Sequence, residues 1–448
     1  MDFNNFKDLV AAQCAALGIA QYELYYETSE STSVGTFQHE INEFSSSVSG
    51  GLCFRCIVDG KMGYASTEDL SEAQAKAVVI KAMDNAKTLE TEEQVFLGQG
   101  GQVYEKLTLP ETPLPTTEEL VSTALATAEK LYAADSMAVD GCQGACERQV
   151  NEIAIFNSNG LDLHYRNQTC ALFAVGVVSN GTEMANDYQI KVGALGDMDL
   201  DAMSQKAIRL AKEKLGGEPA PTGQYPVVFN SEAMCSLLQV YSSIFNSESA
   251  QKGLSQLAGK EGEIIAAPIV TLVDDPFHPE NPFPIHFDGE GSPTRKKLVI
   301  ENGKLNTLLY NLKTAAVAGK ATTGNASKSG YNSAVGIRPF TLCLQGGDLT
   351  EEELLQKAGN GVYITDLSGL HAGADAISGD FSLQSQGYMI ENGRKTKFVK
   401  AFTVAGNFYD LLKNITALAD NCHLPHATDM TAFGAPSVLV EGLSVAGK

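Results

Sequence analysis

Apolar positions recur at helical spacing over residues 3–17, and a β-like alternation follows over 22–36. Residues 51–66 read as two strands joined at Asp59-Gly60, a dipeptide that accepts the left-handed backbone of a two-residue hairpin. Ser71, with Gln74 three positions on, predicts a capped helix running to about Leu89. The same order of helix, strands and helix then recurs. After a linker carrying Pro110, Pro113 and Pro115, Thr116 and Glu119 cap a helix expected to reach Ala134. Strands are expected at 151–156, 161–165 and 170–178, and a helix at about 200–215. Residues 1–90 and 116–216 thus read as two copies of one α/β-sheet plan. Each sheet alone would stay half covered, so the pair is expected to pack as one N-terminal domain, 1–216.

The run Gly216-Gly-Glu-Pro-Ala-Pro-Thr-Gly223 reads as a linker. Beyond it helices are expected at 232–245 and 351–358. Strands are expected at 268–273, 297–310, 340–344, 362–365, 381–391 and 398–404. Ile300-Glu-Asn-Gly303 and Ile390-Glu-Asn-Gly393 repeat one hairpin turn. Residues 222–448 therefore read as a β-rich, barrel-like C-terminal domain whose closure would hide its strand edges, and the chain as a whole as α+β.

Composition narrows the function. A net charge of -22 sets up a field that repels phosphate backbones and anionic membranes, and Arg295-Lys-Lys297 is too short a basic run to offset it. No nucleic-acid or membrane partner is expected. The first residues carry acids where a signal peptide needs bases, and no apolar run approaches the roughly 18 residues of a membrane helix. The nine cysteines form no disulfide framework. Cys53 and Cys56 lie three apart in an expected strand and so face opposite sides. Buried thiols in a reducing cytoplasm are the expectation for them and for Cys142 and Cys146.

Chemistry-bearing motifs are few. His39-Glu40-Ile-Asn-Glu43 lacks the second histidine one turn on that a zinc helix needs, and its surroundings alternate like a strand, so His39 reads as a surface residue. Cys422-His-Leu-Pro-His426 puts a thiol and two imidazoles within five residues, but Pro425 breaks any helix. His278 and His286 lie in or beside a proline-rich loop. There is no G-x-S-x-G elbow and no phosphate-binding P-loop. The segment 369–379 is glycine-rich, with Asp375 and Asp380 at hand, and suits a ligand cradle or tight sheet corners equally.

Several stretches, in order along the whole chain, resemble the TldD/PmbA family. They are Gly51 to Ser71, Glu263 to Asp275, Asp288-Gly-Glu-Gly-Ser-Pro293, Thr323-Gly-Asn325, Ser378-Gly-Asp-Phe381, the two Ile-Glu-Asn-Gly turns and Leu443-Ser-Val-Ala-Gly447. The resemblance implies one of two branches. TldD-like subunits carry H-E-x-x-x-H and are zinc peptidases. PmbA-like subunits (also called TldE) lack the motif and pair with the first, and together they trim unfolded peptides and leader peptides. An older label, modulator of DNA gyrase, finds no support as DNA binding in so acidic a chain.

An ungapped count back from Gly259-Lys-Glu-Gly-Glu263 puts the zinc motif on Leu238 to Ser243. Leu238 and Ser243 then replace the histidines and Gln239 the general-base glutamate. Leu cannot ligate a metal, and an amide cannot take a proton from metal-bound water. The same count places Cys422 at the peptidase branch's further ligand cysteine, which leaves Cys422, His423 and His426 as a vestigial metal candidate. The resemblance thus implies a PmbA-like partner subunit that binds no cofactor itself. Zinc would be held by a TldD-like homologous subunit, the assembly would be a heterodimer or homodimer, and the substrate an unfolded peptide. Two rivals are a stand-alone hydrolase built around Asp375 and Asp380, and a peptide-binding or regulatory module without protease activity.

Overall fold

The computed structural model describes residues 1–91, 93–107, 113–428 and 431–448, with the side chains of 426–428 outside the description. Helix α1 (Phe3–Leu17) starts on Asp2, whose carboxylate accepts the Asn5 N–H, and stops at Gly18 in the left-handed region. Then come β1 (Gln21–Phe37), β2 (Glu40–Val58), β3 (Lys61–Thr67) and α2 (Glu72–Thr88). The second set is α3 (Thr117–Ala134), β4 (Gln143–Asn157), β5 (Asp162–Ser179), β6 (Met184–Val192) and α4 (Leu200–Glu213). Both sets enter one antiparallel sheet of order β3-β2-β1-β4-β5-β6, joined where β1 pairs with β4. The Asp59-Gly60 turn forms with both residues at positive φ.

The helices cover one face of this sheet. Phe6, Val10, Leu24, Leu52, Phe54 and Val79 pack beneath α1 and α2. Leu120, Leu131, Leu172 and Ile208 do so beneath α3 and α4. Helix α2 can lie this close because Gly63 has no Cβ; one there would sit 1.9 Å from the Ala82 carbonyl. Two expected strands, 161–165 and 170–178, are one continuous β5, because polar Arg166 and Asn167 keep the alternation rather than break it. Strand β6 was not anticipated; it is an edge strand with mostly polar, partly exposed residues and offers little apolar pattern.

In the C-terminal part the strands are β7 (Gly223–Phe229), β8 (Leu272–Asp274), β9 (Lys297–Glu301), β10 (Lys304–Leu305), β11 (Ala326–Ser327), β12 (Gly336–Ile337) and β13 (Thr341–Leu344). They continue with β14 (Gly361–Ser368), β15 (Asp380–Glu391), β16 (Arg394–Asn407), β17 (Ile415–Leu418), β18 (His423–Thr428), β19 (Thr431–Ala435) and β20 (Val438–Ala446). The order β16-β15-β14-β7-β20 closes when β20 returns to β16, giving a five-stranded barrel in an α+β protein. A second sheet runs β10-β9-β8-β13-β19-β18. The expected strand 297–310 is cut short by its own Asn302-Gly303 turn, which folds β10 back on β9.

The run between the two parts is held against the barrel rather than free. Ala220 is 0% exposed, its carbonyl accepts the Lys448 N–H, and Thr222 N–H donates to Lys448 O. Gly447 permits this contact, since a Cβ there would meet Ala220 O at 2.0 Å. Across the parts, the helix-free face of the N-terminal sheet packs Tyr25, Ile153, Ile155 and Tyr165 on Ile285, Phe287 and Phe340.

Candidate functional site: the cleft under the N-terminal sheet

Helix α5 (Ser231–Tyr241) begins where the Asn230 side chain accepts the Ala233 N–H at 2.8 Å, and it tightens into a 3₁₀ turn at Ser242–Phe245. Its two faces have different neighbours. Met234, Leu237, Leu238 and Tyr241 enter the core, where the Tyr241 ring stacks on Phe408 at 4.3 Å. Cys235, Ser236, Gln239 and Ser242 face a cleft roofed by the helix-free side of the N-terminal sheet. Strand alternation supplies that roof from every second residue: Glu27 and Ser29 on β1, Gln149 and Asn151 on β4, Ala171 and Phe173 on β5.

The cleft has a polar and an apolar compartment. A cavity of about 570 Å³ holds Glu27, Lys328, Arg338 and Gln239. It shares Gln149, Gln239, Phe283 and Phe433 with an apolar cavity of about 330 Å³ lined by Ala171, Phe173, Ile190, Val192 and Pro425. This is the shape expected of a ligand site, apolar walls with a few convergent polar groups.

Of the zinc-motif positions, only Gln239 faces this cleft. Leu238 is 1% exposed inside the core, and Ser243 is exposed on the 3₁₀ turn. Cys422 is half-buried, with its sulfur 3.3 Å from Cys343 Sγ and its thiol donating to Leu344 O at 3.4 Å. The hydrogen bond between the two sulfurs holds the Cys422 thiol below its usual range and pushes Cys343 up. His423 is exposed, with Nδ1 3.3 Å from Asn421 O. The backbone of His426 pairs with Phe433, but its side chain lies outside the described residues. Among the described residues no three His, Cys, Asp or Glu side chains converge in a metal-binding group. The Leu238 side chain carries no atom that can ligate a metal.

The other candidates are structural in their contacts. Asp375 accepts the Ile377 N–H at 2.8 Å, Asp380 accepts the Asn407 amide at 2.8 Å, and both shape the turn ahead of β15. His39 sits exposed in the β1–β2 turn with its ring stacked on Tyr132. Cys53 and Cys56 are buried, and burial pushes Cys56 up to about 11.

Charged groups not anticipated from sequence sit at and behind the polar compartment. Arg55 and Glu23, opposite each other on β2 and β1, form a buried ion pair at 2.7 Å, 3% and 1% exposed. Asn157 also donates to Glu23, and Arg55 favours the ionised form of nearby Glu290. Burial pushes the Asp288 and Glu290 carboxyls well up, although Asp288 accepts three backbone N–H groups, from Glu290, Ser292 and Ala326. The motif Asp288-Gly-Glu-Gly-Ser-Pro293 thus marks a buried seam between the two parts.

Comparison with known proteins agrees with this architecture. Family models described as PmbA/TldA metallopeptidase match in three pieces: domain 1 over residues 22–86, the central domain over 110–215 and the C-terminal domain over 222–447. A metalloprotease of Methanothermobacter thermautotrophicus is 27% identical over 418 residues, 89% of this chain and 87% of that protein. The metalloprotease PmbA of Escherichia coli O157:H7 is 23% identical, over 93% and 90% of the two chains. A Thermotoga maritima structure, whose name ties it to modulation of a DNA gyrase, superposes with TM-score 0.89 at 30% identity, covering 99% of this chain and all of that one. TldE of Thermococcus kodakarensis gives the same TM-score at 23% identity, over 98% and 99%, and shows the shared fold.

Proposed function

The chain belongs to the PmbA/TldD metallopeptidase family, and from that premise we propose that it is the non-metallated subunit of a peptidase assembly acting on unfolded or leader peptides. Zinc is held by a TldD-like homologous subunit, and the two related folds pair about a pseudo-two-fold axis, the alternative being a pair of copies of this chain. The observation that carries the reading is the cleft face of α5. It presents Cys235, Ser236, Gln239 and Ser242 to a peptide-sized groove, and among the described residues none of these groups combines with others into a metal-ligand set. Gln239 has no basic carboxylate with which to activate water.

The nine cysteines follow no disulfide framework, which supports a reducing cytoplasm as the working compartment. Among the described residues no helix is long and apolar enough to cross a membrane. The net charge of -22 argues against a nucleic-acid partner.

The test mixes purified chain with a TldD-like subunit and follows cleavage of an unfolded peptide. Cleavage on mixing that a chelator abolishes, with none from either chain alone, is the expected outcome. Cleavage by this chain alone, unaffected by chelator, defeats the reading.

A further inference from the structure

The polar compartment of the cleft holds two charged groups that the fold leaves incompletely answered. Lys328 is only 7% exposed, yet among the described residues its ammonium makes just one hydrogen bond, a long 3.3 Å contact to Tyr331 O, and rests 4.4 Å from the centroid of the Tyr25 ring. Among the described residues no carboxylate lies within ion-pair reach of it. Buried lysines are rare unless paired, because a cation taken out of water needs an anionic partner. Lining the same cavity, Glu27 has a buried Oε2 with no hydrogen-bond partner. Arg338 also lines it. Burial lowers the Lys328 pKa and raises that of Glu27, while the attraction between the two groups works the other way.

A ligand that answers both groups offers an anion to Lys328 and an N–H to Glu27. The last residue of a peptide carries both, its α-carboxylate and its own amide. The shape favours a chain end over a mid-chain Asp or Glu. Beyond Lys328 and Arg338 the space narrows to about 30 Å³ between Tyr25, Ile285, Phe287 and Phe340, where the two parts of the molecule pack together, and a chain has nowhere to continue. In the other direction the groove opens past Gln149 and Gln239 into the apolar cavity.

We propose that this cleft captures the C-terminal end of an extended peptide. The α-carboxylate lies on Lys328, the last amide N–H on Glu27, and upstream apolar side chains between Phe173 and Phe433. Charge-assisted hydrogen bonds to a terminal carboxylate are a recurrent means of peptide capture. The proposal rests on the reading of the cleft as a peptide groove, and it gives this subunit a substrate-holding part beside its metallated partner.

The test uses the isolated full chain and N-acetylated, fluorescently labelled heptapeptides rich in Val and Phe, followed by anisotropy. A free C-terminal acid is expected to bind at least about tenfold more tightly than the same peptide amidated, a gap that a single charge-assisted contact can supply. Lys328→Met should abolish the preference for the acid over the amide. Equal binding of acid and amide by the wild-type chain, which needs no variant, overturns the proposal. So does an amidated peptide with an internal Asp that binds as tightly as the acid, or the absence of any binding. None of these outcomes depends on partner-driven cleavage, so the two readings fail separately.

Discussion

Rebuilding the zinc motif by Leu238→His, Gln239→Glu and Ser243→His should damage the fold before it creates a metal site. Leu238 points away from the cleft, among Met234, Leu237 and Tyr241. Each residue turns the helix by about 100°, so neighbours 238 and 239 do not share a face. Replacing this leucine forfeits about 2–3 kcal/mol of apolar burial. Burying an imidazole without partners adds about 1–3 kcal/mol. The sum, about 3–6 kcal/mol, is a large fraction of a typical domain stability of about 5–15 kcal/mol. Gln239→Glu and Ser243→His lie at exposed positions and should each stay within about 0.5 kcal/mol.

Urea unfolding of the Leu238→His single variant, the Gln239→Glu/Ser243→His double variant and the triple variant separates these contributions. Elemental analysis of whatever remains folded reports the metal. The expected pattern is a near-neutral double variant, a heavily destabilised single variant, and no stoichiometric zinc or peptidase activity in the triple. A triple variant of wild-type stability that binds one zinc and cleaves peptide refutes the argument, because residue 238 would then have to face the cleft.

Two further outcomes follow from the buried charges. Arg55→Met leaves Glu23 and Glu290 without their cation and should cost about 3–5 kcal/mol in urea unfolding, the usual price of breaking a buried pair from one side; a loss below about 1 kcal/mol would show the pair to be dispensable. The raised carboxyls of Asp288 and Glu290 mean that the folded chain keeps protons the unfolded chain has released. Their contribution is therefore most favourable below the ordinary carboxylate range, and stability falls as pH rises from about 4.5 through the raised values. Glu290→Gln should make that decline shallower, and an unchanged slope of urea midpoint against pH would contradict the assignment.

What the sequence disclosed and what it withheld divide along one physical line. Capping residues, Asn-Gly and Asp-Gly turns and strand alternation act within a few residues. For that reason the caps at Ser71 and Thr116 and the turns at Asn302 and Asn392 form as read. The barrel was legible as a class, because a run of turn-punctuated strands has few other ways to hide its edges. Strand β6 escaped because a polar edge strand carries no apolar stripe. The cleft escaped for a different reason. Glu27 and Lys328 lie three hundred residues apart in the chain, Cys343 meets Cys422 across 79, and nothing local in either pair foretells the meeting.

Helix α5 shows the same limit at close range. Spacing puts Leu238, Gln239 and Ser243 in one short segment, but only the packed structure shows which of them looks into the cleft. Of the three, Gln239 does, together with Cys235, Ser236 and Ser242. A face of amide, hydroxyl and thiol groups beside a buried ammonium can hold a peptide by hydrogen bonds and charge. That helix face itself bears no carboxylate and no imidazole; the carboxylates of the cleft, Glu27 and Glu147, stand on the sheet opposite. Under the proposed pairing, binding and cutting are divided between homologous subunits, which is a reason for this fold to persist in a chain without H-E-x-x-x-H.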